Sequence, residues 1–105
     1  MSTRATIKIE GISYAKIYKH SDGYPENTLP WLEKFNKEFS IERGYDPQYK
    51  FAQLLRSSIR DGKEFGLGQD RFLGWGVVPY NENMGENYEY ILKTDGTIMY
   101  KQVDL

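Results

Sequence analysis

The chain has no cysteine, a single histidine (His20) and only four prolines. Without cysteine there is no disulfide framework, no thiol nucleophile and no thiolate metal site. One histidine rules out metal sites built on two imidazoles and leaves any general base without a second ring to partner it. A basic excess is missing too: fourteen basic residues face fifteen acidic ones, for a formal charge of -1. Proteins that track a polyphosphate backbone carry a positive surplus, so extended nucleic acid is not an expected partner. No apolar run reaches the length of a membrane span, and Met1-Ser2-Thr3-Arg4 opens no apolar signal region. The expectation is a cytoplasmic protein with no membrane contact. At 105 residues the chain is one domain, 1–105, with room for a single core.

Aromatic residues are plentiful. Nine Tyr, five Phe and two Trp make up 15% of the chain, more than one small core needs, so some rings are expected at a surface.

Residues 3–10 (TRATIKIE) alternate, with Ala5, Ile7 and Ile9 on one face, the pattern of a half-buried strand. After Glu10-Gly11 the alternation resumes through residues 12–19, which reads as the second strand of a hairpin with Ala15 and Ile17 inward. Tyr14, Lys16, Tyr18 and His20 share its other face. Thr28 is the expected N-cap of a first helix, with Pro30 in its first turn; Leu29, Leu32, Phe35, Asn36 and Phe39 recur at helical spacing, and Gly44 ends it. Asp46-Pro47 starts a second helix whose expected buried stripe is Phe51, Ala52, Leu54, Leu55, Ser58 and Ile59, ending near Asp61-Gly62. Residues 63–69 (KEFGLGQ) are turn-rich. A third strand is expected over 72–78, where the glycines beside Trp75 suggest a bulge or a close approach to the backbone. After the polar loop 81–87, residues 88–94, Asp95-Gly96 and 97–103 carry the strongest hairpin signal in the chain, because Asp-Gly accepts the positive φ of a tight turn. The predicted architecture is α+β: a five-stranded antiparallel sheet, in the order ββααβββ, with two helices packed on one face. The other face is left open, with Tyr14, Lys16 and Tyr18 on it, one of the two alternating sets of the fourth strand, and Trp75 as an addition. An aromatic face of that size calls for a ligand, a partner or a second copy.

The densest run of chemically capable side chains is residues 18–26, YKHSDGYPE, a loop between a strand end and a helix start. The candidate ligand site is Tyr18, Lys19, His20, Asp22, Tyr24 and Glu26. Lys19 supplies charge, His20 and the loop amides supply donors, Tyr24 a stacking surface, and Asp22 or Glu26 fixes the others. The same residues also fit a plain turn, in which Gly23 takes positive φ and Asp22 caps the local backbone. His20, Asp22 and Glu26 match no established metal spacing, so no metal, catalytic residue or cofactor is assigned. Arg56 and Arg60 share a helix face with the reach to hold a phosphate, but a solvated face that pairs with Glu or Asp is the commoner outcome. Gly66-Leu67-Gly68 and Gly74-Trp75-Gly76 do not open a helix after a strand and are not nucleotide fingerprints.

STRATIKI, YAKIYKHSDGYPE, LPWLEKF, YKFAQLL and GWGVVPY together resemble a family of small single-domain proteins from bacterial, archaeal and phage genomes. The likeness covers most of the chain, and YKHxDGYPE is its most specific part. The family has no established activity, so the resemblance implies a compact domain and a phage setting, in host cytoplasm, but no catalytic residue. By analogy with small phage proteins that blunt host defence, the leading expectation is a non-enzymatic protein that sequesters a nucleotide-like anion. The alternatives are a protein-interaction or inhibitor domain acting through the aromatic sheet face, with self-association into a homo-oligomer, and a small hydrolase using His20.

Overall fold

The computed structural model describes residues 3–20, 23–42, 46–60 and 75–103. Its elements are β1 (Ala5–Ile9), β2 (Ala15–Lys19), α1 (Pro25–Glu42), α2 (Pro47–Arg60), β3 (Trp75–Pro79), β4 (Tyr88–Leu92) and β5 (Ile98–Gln102). The strands form one sheet in the order β3-β2-β1-β4-β5. The expected helix stops at Gly44 and Asp61-Gly62, the stretch 63–69 and the first residues of the third expected strand lie outside the described residues.

The sheet is mixed, not antiparallel. β1 pairs antiparallel with β2 but parallel with β4, in the register Ala5↔Tyr88 through Ile9↔Leu92. Hairpin logic handles neighbours in sequence, and it cannot see that a distant strand enters on the free side of β1. Because β3 is antiparallel to β2, it runs the same way as β1 and β4. The link 80–87 must therefore return the full length of a strand before β4 can start. It does so across the face that the sequence leaves open.

That strap explains the burial of polar residues on this face. Lys16, only 3% exposed, donates from Nζ to the Glu82 carbonyl at 2.6 Å and lies 3.9 Å from the Glu86 carboxylate. Lys8 sits over the Tyr80 ring at 4.5 Å and pairs with Glu89 at 3.2 Å. At its end the strap is tied to β1, with the Asn87 N–H donating to the Arg4 carbonyl and the Arg4 N–H to Asn87 Oδ1. The expected open aromatic face is thus largely covered, although Tyr14, just before β2, stays 67% exposed.

Helical and apolar residues meet the opposite face. Ala5, Ile7, Ile9, Ile17, Tyr90 and Leu92 form one cluster with Trp31, Leu32, Phe35 and Phe39 of α1 and Leu54 of α2. Burial of branched and aromatic side chains of this kind, at roughly 1.5–3 kcal/mol each, is what holds the helices to the sheet. Trp75 belongs to this side, its ring 5.3 Å from that of Trp31, and not to the outer face where it was expected. The β2–β3 ladder runs unbroken from Ala15↔Pro79 to Lys19↔Trp75, so Gly76 marks no bulge. A Cβ placed on Gly76 meets nothing within 4 Å, which removes the close-approach reading for Gly76; Gly74 lies outside the described residues.

Candidate functional site

Helix α1 begins earlier than its expected Thr28 cap. Pro25 is its first residue, suited to the place because it has no N–H to satisfy there and its φ is already helical. The Tyr24 carbonyl accepts the N–H groups of Asn27 and Thr28. Thr28 itself is fully buried.

This start is locked to the sheet through Gly23. Its N–H donates to the Thr3 carbonyl at 2.9 Å, and its carbonyl accepts the Tyr90 hydroxyl at 2.5 Å. A Cβ on Gly23 falls 2.8 Å from Ala5 Cβ and 2.9 Å from the Thr3 oxygen. The glycine is therefore required for close approach. The positive φ expected of it occurs instead at Gly11, Gly85 and Gly96.

Of the six residues of the expected ligand site, five are described, and those five do not gather at one point. Tyr18 and His20 are together, the Tyr18 hydroxyl and His20 Nδ1 2.7 Å apart in an exposed hydrogen bond. Lys19 points to the other face, is 0% exposed and places its Nζ 5.6 Å from the Trp75 ring centre. The strand alternation that puts Tyr18 and His20 outward sends Lys19 into the core, so it is no surface charge. Tyr24, half-exposed, leans on Tyr88 at 6.1 Å, and Glu26 is exposed in the first turn of α1. Asp22 lies outside the described residues, as does the side chain of Arg60, expected to share a helix face with Arg56.

At the opposite end of the sheet a cleft of about 190 Å³ opens between the N-terminus of α2, the end of β1 and the β4–β5 turn. Its walls include Ile9, Leu92 and Pro47, with Glu10, Asp46, Lys50, Lys93 and Asp95 around them. The charged groups differ in how far they are satisfied. Glu10 accepts the Thr94 N–H at 2.7 Å and pairs with Lys93 at 3.2 Å; the Thr94 hydrogen bond, with Lys93 beside it, holds its carboxyl below the usual range. Asp95 accepts the Thr97 N–H and hydroxyl at 3.0 and 2.6 Å, which lowers it likewise. Asp46 caps α2 through the Tyr49 N–H at 3.3 Å.

Lys50 is the exception. It is 9% exposed, yet among the described residues its ammonium has no hydrogen-bond acceptor or carboxylate within bonding distance. Its Nζ lies 5.9 Å from the centre of the Phe39 ring. Burial pushes its pKa below the usual lysine range, since a desolvated ammonium without a partner is costly.

Sequence reasoning passed over Lys50, although a signal was there. Lys50, Leu54, Ser57 and Ser58 are all buried and stand at i, i+4, i+7 and i+8, so the true stripe of α2 begins on a lysine. Ala52, placed in that stripe by the sequence reading, is exposed.

A second concavity, about 570 Å³, lies on the strap side beside Lys8 and Lys16. Both lysines there are already paired, with Glu89 and Glu86. Among the described residues no three His, Asp or Glu side chains are grouped to hold a metal ion, and no helix is long and apolar enough to cross a membrane. No protein-family model, curated protein or solved structure matches this chain.

Proposed function

We propose that the chain is a small binding domain for a compact monoanion, a short-chain carboxylate seated on Lys50, and not an enzyme. The observation that carries this reading is a lysine side chain only 9% exposed at the wall of a cleft, with no carboxylate among the described residues within ion-pair distance. A bound carboxylate supplies that counter-charge, and a charge-assisted hydrogen bond in a partly dry site is among the stronger polar contacts. Ile9, Leu92 and Pro47 offer an apolar wall to a short carbon chain.

Size and charge narrow the class. About 190 Å³ is room for about six waters, below the 300 Å³ or so at which pockets begin to take drug-sized ligands. A whole nucleotide is too large for it. The three carboxylates around the rim disfavour a dianion such as phosphate more than a single carboxylate. The larger concavity by Lys8 and Lys16 has the room but not the free charge.

Titrating the protein with acetate and butyrate at fixed ionic strength, and following backbone amide resonances, tests this. Residues around Lys50 and the 94–96 turn are expected to shift and saturate, with butyrate tighter than acetate. Binding weakens as pH rises through the lowered Lys50 pKa, earlier than an ordinary lysine near 10.5 allows. Lys50→Met keeps the stem, loses the response and melts no lower than the parent. Shifts that survive in Lys50→Met, or no shift in the parent, sink the reading.

A further inference from the structure

β5 has a neighbour on one side only among the described strands, and the parity of its ladder shows which backbone groups that leaves over. The Lys93 N–H donates to the Thr97 carbonyl at 2.9 Å and the Val103 N–H to the Asn87 carbonyl at 2.7 Å. With the register Leu92↔Ile98, Tyr90↔Tyr100 and Tyr88↔Gln102, bonded and non-bonded pairs must alternate between those ends. Residues 97, 99, 101 and 103 therefore bond to the β4 side. Ile98, Tyr100 and Gln102 turn their N–H and C=O groups outward, along an edge that is exposed from Met99 to Gln102.

We propose that a second copy of this chain takes that edge, β5 pairing antiparallel with β5 about a two-fold axis through Tyr100, so that two five-stranded sheets become one continuous sheet. In this register Tyr100 faces its symmetry mate and Ile98 faces Gln102, and every outward backbone group of the three residues finds a partner. Side-chain charge agrees with it: Lys101 falls opposite Met99, whereas sliding by one residue toward Gln102 sets Lys101 against Lys101, an unfavourable like-charge pair. The exposed surfaces fit as well. Met99 is 55% and Tyr100 49% exposed, and Tyr100 already stacks on Tyr90 at 5.8 Å, so a second Tyr100 extends a ring ladder that has begun. The other edge strand, β3, ends in Pro79, which has no N–H to offer. This disfavours head-to-tail growth and leaves two-fold closure as the outcome.

Sedimentation equilibrium across the micromolar to millimolar range, on the parent and three variants, tests it. The register sets Met99 beside the partner's Lys101 twice over. Met99→Lys is expected to weaken the dimer about tenfold, because it sets two new like-charge pairs across the strands, and Met99→Glu to tighten it in a salt-sensitive way. Tyr100→Pro removes an N–H that does not bond β4, so it yields a folded monomer, checked by its circular dichroism. A parent that stays monomeric into the millimolar range overturns the proposal. So does a dimer that the lysine and glutamate variants shift alike, because the strands then meet in some other register or not at all.

Discussion

The two ends of the sheet differ in a way that inverts what their sequences advertise. At the Gly23 end a run of histidine, acids, tyrosines and a lysine promises chemistry, yet the backbone there is closed: Gly23 is bonded on both sides and has no room for a methyl group. At the Lys50 end an ordinary-looking helix start, a connector and a tight turn enclose a cleft walled by a largely buried lysine that no described carboxylate pairs. Density of reactive residue types measures what a segment can do when its groups are reachable, and packing decides reachability. The closed end is where substitutions should cost stability; the open end is where they should cost binding.

Gly23→Ala is the largest effect expected from that contrast. The new Cβ meets a β1 side chain and two backbone groups at 2.8–3.1 Å, so α1 must move off β1 or β1 must shift. Overpacking of this kind costs about 3 kcal/mol at the upper end of its usual range, a large share of the stability of a small domain. Chemical denaturation reads it directly, and a loss below about 1 kcal/mol would mean that this end gives way easily.

Tyr90→Phe comes next. It deletes the hydroxyl that reaches the Gly23 carbonyl and leaves that acceptor buried, for about 1–2 kcal/mol. Burial raises the Tyr90 phenol above its ordinary pKa of 10.0. Above about pH 10 the unfolded chain releases a proton that the fold retains, so this tyrosine's contribution is full below that pH and shrinks as pH climbs through it. The stability gap between parent and Tyr90→Phe is therefore expected to narrow from pH 9 to 12, measured by urea unfolding at each pH.

What was legible in the sequence follows the reach of each signal. The periodicity of Leu32, Phe35 and Phe39 gives α1, and Asp95-Gly96 gives the β4–β5 turn, with Gly96 at a φ of 90°; both depend on residues close in sequence. The parallel β1–β4 pairing depends on residues more than eighty positions apart, such as Ala5 and Tyr88, and nothing local encodes it. Residues 81–87 read as a polar loop, and their role as a cover for Lys16 follows only once β3 and β4 are known to run the same way. The Tyr18–His20 pair was found in the candidate site because both lie on one strand face. Lys19 is misplaced because its role is taken from the loop run 18–26, although it also closes the strand 12–19, where its parity sends it inward. Lys50 sat on a readable helical stripe and was passed over because a lysine is rarely fully buried unless paired.

The smallest effect sharpens the contrast most, because it concerns the residue the sequence singles out. His20 is exposed, and its one described contact within hydrogen-bonding distance is the Tyr18 hydroxyl at 2.7 Å, itself open to water. Such a bond exchanges readily with solvent, so His20→Ala is expected to change stability by less than about 0.5 kcal/mol and to leave the carboxylate response at Lys50 intact. Its neighbour gives the opposite result: Lys19→Ala removes a fully buried side chain from beside Trp75 and is expected to cost about 2–4 kcal/mol through lost stem packing. Two adjacent residues, one step of strand alternation apart, then fall at opposite ends of the stability scale. Melting both single variants side by side decides it, and a His20→Ala protein that melts as low as Lys19→Ala, or that no longer responds to butyrate, would return function to the loop and take it from the cleft.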